Sequence, residues 1–583
     1  MYQFFRKFKG AKSVKNSKIL WLLGLVLVLS AFLAACGGGD DTDTGTENTE
    51  TEGTEGAEGN GGEPDSVQEL NLIEGAEIPS MDSSIAEDAV AFNILNNVNE
   101  GLFRLNQENI AEPALAEGEP EISEDGLTYT FKLRDANWSD GTPVTANDFV
   151  YAWQRAIDPA TGSPYGPYMM AGTIKNAKEV SEGDMEVTEL GIKAEDDKTL
   201  VVELERPTPY FMSLMAFGTF YPLNEEFVTE QGDNYASNSE TILYNGPFTL
   251  TNWDGTGLTW TMEKNPEYWD AETVQLETVN VDVVKETSTA VNLYQSGEKD
   301  RVGLSGEFAM QYAEDPEVVK ELEPTLFYLK FNQERNGEET PLANENIRKA
   351  IATGFNKQDL VDVVLANGSL PANYLVPTDF TFNEAGEDFR DINGDMLPFN
   401  AEEAKTYWEK GLEEIGETEV TLELLGGDSE LAGKMDAYLK EQLETNLEGL
   451  TVNLKAVPFG VRLELDEAQD YDIQNSGWGP DFQDPMTFID LFVTGASHNL
   501  MSYSNEEFDN LVEQAKGELA QDAEGRWEAM AQAEKILIEE DAAIAPIYQR
   551  GIMSLQKPYV NNIVKHPFGG DYSYKWAYIS GKE

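Results

Sequence analysis

The 583-residue chain is too long for one ordinary domain, and its 107 acidic against 40 basic residues give a formal net charge of −67. Such a charge excludes polyanionic partners: nucleic acid and anionic lipid surfaces would be repelled. A single Cys excludes an intrachain disulfide, and only two His, His498 and His566, speak against a multi-histidine metal centre.

The chain begins with six cations (Arg6, Lys7, Lys9, Lys12, Lys15, Lys18) followed by an uncharged apolar run at residues 19–35. This is the layout of an export signal. The run ends in Leu33-Ala34-Ala35-Cys36, and Cys36 is the only thiol. The segment resembles a bacterial lipobox, which implies cleavage behind Ala35 and diacylation of Cys36. Two acyl chains suffice for stable attachment to a bilayer. An uncleaved anchor is the other reading, but the run sits at the lower limit of spanning length.

Residues 37–65 carry ten carboxylates and no cation, aromatic or large apolar side chain. Nothing there can offset the entropy of ordering, so residues 36–65 are expected to be the lipidated Cys and a disordered, self-repelling tether. Beyond it, strands and helices interleave. Residues 127–133 alternate apolar and polar side chains as a half-buried strand does. Thr145 and Asp148 form a capping box that opens a helix running to Ile157, ahead of Pro159. Further strand patterns lie at 276–284, 325–331, 420–425 and 451–457. Asn400 with Glu403 caps a second helix through Leu412, and a third helix is expected over 523–540. Mixed elements throughout predict α/β layers.

Several segments carry a shared signature: YTFKLRDANWSDGTPVTANDFV (129–150), YNGPFTL (244–250), KNPEYWD (264–270), Phe331-Asn332 ahead of NIRKA (346–350), and GWGPDFQDP (477–485). In order and spacing they resemble the oligopeptide- and dipeptide-binding proteins of bacterial ABC importers, solute-binding protein family 5. The resemblance implies an α/β, periplasmic-binding-protein-like fold: two lobes around a cleft, a hinge, and an extra domain inserted in the first lobe. The corresponding boundaries are 1–35 signal, 66–105, 235–330 and 550–583 first lobe, 106–234 extra domain, and 331–549 second lobe. Hinges are expected near 330–332 and 549–551.

The resemblance also implies an extracytoplasmic receptor, lipid-anchored on the outer face of the cytoplasmic membrane. It would be a monomer, holding oligopeptides and passing them to ABC permease subunits, without enzymatic activity or cofactor. Asp481 is implied to bind the peptide α-ammonium, with Trp478, Gly477, Phe482 and Asn475 lining the cleft. An ammonium entering a closed cavity must be paired or lose several kcal/mol to desolvation. Some relatives have Arg where this chain has Asn475, so a peptide C-terminus must find another cation or lie in solvent. A signalling-peptide sensor, and a cleft hydrolase or chaperone, are the rival functions.

Two motifs carry no chemistry. The loop at 138–145 is a turn leading into a helix, made by Asp140-Gly141 and Pro143. Asp391, Asn393 and Asp395 loosely imitate a calcium loop, but Met396 stands where the turn needs Gly, so a polar turn and no metal are expected. The acidic surface suggests a saline or alkaline habitat.

Overall fold

The computed structural model describes residues 62–383 and 385–582. The leader, Cys36 and nearly all of the acidic segment lie outside the described residues.

The first lobe is built on a four-stranded sheet in the order Glu69–Glu74, Thr278–Val283, Thr259–Lys264, Phe248–Thr251. Its first pair is parallel and the others antiparallel. Leu70, Val279, Trp260, Met262 and Leu250 fill the buried face, as the period of two requires. A second four-stranded sheet, Glu121–Ile122, Thr128–Lys132, Thr199–Glu203, Ile192–Asp196, belongs to an inserted module. The helix Ala146–Ile157 covers it, burying Phe149 and Trp153. Its capping box forms as expected: the Asp148 carboxylate accepts from the Thr145 N–H at 2.7 Å.

The largest sheet has seven strands, led by Arg301–Leu304, Ile544–Gln556, Val318–Phe331, Ile473–Trp478, Val420–Gly427 and Leu450–Val457. Two of these, Val318–Phe331 and Ile544–Gln556, are long and lie side by side. At one end they hold the first-lobe strand Arg301–Leu304, and at the other the helices and strands of the second lobe. Their ladder breaks between Leu322 and Leu326. Pro324 has no N–H to donate there, so a strand interior is the wrong place for it unless the pairing is interrupted. The break faces Arg550 and Gly551, the second expected crossing. The other expected crossing, at 330–332, follows Leu329 and Lys330, which pair on both sides, with Ala545 and Ile544 and with Asn475 and Gln474. The interruption in the ladder itself lies at residues 323–325.

The two ends of the described residues are clasped. The Asp65 carboxylate accepts from the N–H groups of Gly581 (3.0 Å) and Lys582 (2.8 Å), and the Asp65 N–H donates to the Ile579 carbonyl (2.9 Å). Gln68 exchanges side-chain bonds with Ile579 as well.

Candidate functional site

A cavity of about 720 Å³ opens between the lobes. The helix start at Glu87–Asn93 and the strand Arg301–Leu304 wall one side; the helix Phe459–Glu467 and the strand Ile473–Trp478 wall the other. The last strand is central to the site. One edge pairs with Leu326–Phe331 along its whole length, but the other meets Val420–Gly427 only at Ile473 and Gln474. Residues 475–478 thus have no strand on their second edge.

Gly477 is dictated by a close approach: a Cβ there would lie 2.8 Å from the Phe327 ring, which is itself stacked on Tyr548 at 4.7 Å. Pro480 then ends the strand, and the chain turns to bring Asp481 into the cavity wall. Asp481 is 5% exposed. Its N–H donates to Thr487 Oγ1 at 3.0 Å, and its Oδ1 accepts from the Tyr165 hydroxyl at 3.3 Å. Its Oδ2 has no partner. No cation among the described residues pairs with it, and burial pushes its carboxyl well above the usual carboxylate range. The ionised form is costly in such a place without a counter-charge.

Aromatic rings surround this carboxylate. Trp478 stacks with Tyr165 at 6.1 Å, and His498 packs edge-on against Trp478, Tyr165 and Tyr168 at 4.8–5.0 Å. The Trp478 indole N–H and the His498 Nε2 are also unpartnered. Burial lowers the His498 pKa to about 3, so the ring stays neutral.

The floor of the cavity is charged. At the ladder break, buried Glu323 meets Lys565 at 2.9 Å and also Arg550, which approaches Asp571 at 3.6 Å. The two cations hold Glu323 below the ordinary carboxylate range, while burial raises Asp571 to about 7. Burial also raises Glu87 and Asp88 to about 7, and Asp466 and Glu467 add to the effect on Glu87. Among the described residues no cluster of three His, Cys, Asp or Glu is placed to hold a metal ion.

Of the residues singled out from sequence, Asp481, Trp478 and Gly477 come together on the cavity wall. Phe482 and Asn475 do not line it. Phe482 stacks on Tyr210 at 4.4 Å in the core, because consecutive residues in the turn face opposite ways. The Asn475 side chain donates to Asp436 at 3.2 Å, and only its backbone carbonyl turns to a wall residue, Arg462, at 3.0 Å. Tyr165, His498, Arg462 and the Glu323–Arg550 pair were not foreseen. Their signal is three-dimensional, although cations are scarce enough in this chain for each to carry weight.

A broken two-strand crossing, a cleft between α/β lobes and a wall with an unpaired carboxylate define a receptor that closes on a small ligand. The model of bacterial extracellular solute-binding proteins, family 5 (middle), matches residues 111–499. The chain belongs to that family. It is 35% identical over 568 residues to the dipeptide-binding protein DppE of Bacillus subtilis (strain 168), covering 97% of this chain and 99% of the relative. Among solved structures, Listeria monocytogenes OppA bound to peptide is 48% identical with a TM-score of 0.86, over 89% of this chain and 100% of that one. The pheromone receptor PrgZ is 38% identical with a TM-score of 0.84, over 88% and 100%. Among the described residues no helix is long and apolar enough to cross a membrane.

Proposed function

We propose that the protein is the substrate-binding component of a bacterial ABC importer, capturing oligopeptides outside the cell and delivering them to the permease. The observation that carries this reading is Asp481: a buried carboxylate with one empty acceptor, no cation, and a cavity in front of it. A peptide α-ammonium supplies the missing counter-charge as a charge-assisted hydrogen bond that any sequence can make. Beside it, the free edge at residues 475–478 offers main-chain groups to an extended peptide, giving affinity with little dependence on side chains. The indole of Trp478 packs against Tyr165 and His498 on the cavity wall. Closure about the ladder break at 323–325 and 549–551 brings the lobes onto the ligand.

In the same reading Cys36 carries the acyl chains, and the acidic segment spaces the folded body from the membrane. Cys36→Ser would then release the protein from cells into the medium.

The test is calorimetry with matched short peptides bearing a free or acetylated N-terminus, preceded by native mass spectrometry for co-purifying peptides. Free-amine peptides should bind and acetylated ones should bind far more weakly. Equal affinity removes Asp481 from its role, and absence of peptide binding overturns the reading.

A further inference from the structure

We infer that Lys285 and Glu430 form a latch across the mouth of the cleft, and that this latch sets how long the closed receptor holds a captured peptide. The inference rests on the peptide-binding reading and adds to it a control on release.

Two short segments meet at the rim of the cavity. Lys285, Glu286 and Thr287 lie just past the first-lobe strand Thr278–Val283, and Asp428, Ser429 and Glu430 lie just past the second-lobe strand Val420–Gly427. The Lys285 ammonium donates to both Asp428 oxygens at 2.8 Å and meets Glu77 of its own lobe at 3.1 Å. No other cation lining the cavity, among the described residues, joins an acid of each lobe in this way. A fully exposed pair contributes little. Here the Lys285 side chain is only 22% exposed and its ammonium lies between two carboxylates. Without it, Glu77 and Asp428 would face each other across the rim as like charges.

The backbones of the two segments are stitched together as well. The helix Thr287–Ser296 has no cap of its own, since Glu286 at the N-cap position makes no side-chain bond to it. Its first N–H, on Thr287, donates instead to the Glu430 carboxylate at 3.2 Å, and the Glu430 N–H donates back to the Lys285 carbonyl at 3.2 Å. The first N–H groups of a helix have no partner within it, so each lobe satisfies an orphan donor of the other. The Glu430 carboxylate, held by Lys434 at 2.7 Å, also sits where the helix dipole favours negative charge. The helix Glu430–Asn446 keeps its own cap, Ser429, whose Oγ accepts from the Ala432 N–H at 3.2 Å. Parting the lobes therefore strips the first helix of its cap and Lys285 of its second acid, and leaves the second helix intact. These bonds form only once the lobes have met, so they act on release and not on the encounter.

The experiment measures release of radiolabelled tri-, tetra- and hexa-alanine from the full chain, chased with unlabelled peptide, with affinities from calorimetry. Lys285→Met should release peptide about 10-fold faster, the scale of a hydrogen bond to a charged group. Its association rate and the melting temperature of the empty protein should stay close to wild type. Glu430→Ala should release about threefold faster. Glu430→Gln, whose amide oxygen still accepts from Thr287, should stay near wild type. The exchanged pair Lys285→Asp with Asp428→Lys should release more slowly than either single change. Because the bridge is partly solvated, the excess rate of Lys285→Met should shrink between about 0.05 and 1 M salt. Release from Lys285→Met within about twofold of wild type, or an exchanged pair no slower than both single changes, overturns the latch while leaving peptide binding intact. Failure of wild type to bind any of the three peptides overturns both readings.

Discussion

Asp481→Asn separates binding from stability, because the two should move in opposite directions. In the empty cavity the carboxylate has one acceptor bonded to Tyr165 and one bonded to nothing. An amide of the same shape keeps the first bond and has no charge to desolvate. Keeping the carboxyl protonated in the folded state costs about 1.4 kcal/mol for each pH unit above its unfolded value of 3.8. With roughly 520 described residues and an unfolding entropy of ~2.1 cal/mol/K per residue, removing that cost raises the melting temperature by about 1 °C for each such unit. The sign follows from linkage: a carboxyl raised in the folded state is easiest to keep at low pH and destabilises as pH climbs above its unfolded value of 3.8. The stability advantage of the Asn variant should therefore vanish below pH 3.8 and grow with rising pH. Binding moves the other way. The ligand ammonium loses its partner, and breaking a buried pair costs about 3–5 kcal/mol, or ~150–5,000-fold in affinity. Calorimetry with a free-amine tetrapeptide and thermal melts across pH 4–8 measure both effects. An Asn variant that binds within threefold of wild type, or melts lower at pH 7, refutes the reasoning.

Three further outcomes follow from the same structure. Glu323→Gln removes the acid that holds Arg550 and Lys565 at the ladder break. It should cost about 3–5 kcal/mol near neutral pH. Because the native pKa is depressed, that stability is present above the unfolded value of 4.5 and lost as pH falls, so urea midpoints of wild type and variant should converge in acid. Gly477→Ala drives a methyl group into the Phe327 ring and tilts it toward the cavity, which should weaken peptide binding about tenfold. The double change with Phe327→Leu should recover much of that loss by calorimetry. Gly551→Ala puts a Cβ 2.2 Å from the Gly368 carbonyl carbon, a backbone atom that cannot yield. Its melting temperature should fall by more than that of Gly477→Ala, against the ~1–3 kcal/mol of ordinary overpacking.

The elements with a strict local signal were legible in the sequence. The alternation at 127–133 became Thr128–Lys132, and the Asn400 cap became the start of Ala401–Ile415, with its Oδ1 accepting from the Glu403 N–H at 3.2 Å. The stretch 477–480 was legible as unsuited to helix, from its Gly and Pro, and Gly477 and Trp478 indeed close the strand Ile473–Trp478. The break in the ladder was not legible from the apolar pattern at 325–331, which runs on smoothly; its cause, Pro324, stands just outside that pattern and lacks an N–H to donate. Phe482 and Asn475 lie off the cavity wall because of direction. Adjacency to Asp481 or Trp478 along the chain says nothing about which way a turn or a pleat points a side chain. Arg462 was invisible for another reason: its partner is a backbone carbonyl thirteen residues away in the next strand.

The clasp between Asp65 and the Gly581–Lys582 backbone has a mechanical consequence. The first and last described residues are held to each other, next to the strand Glu69–Glu74. A pull applied through the N-terminal segment is therefore carried by these few bonds and the first sheet. No part of that load path runs through residues 323–325 or 549–551, where the ladder of the two long strands is interrupted. The same geometry makes the protein a natural candidate for circular permutation, with a short linker joining the old ends and new ends opened elsewhere.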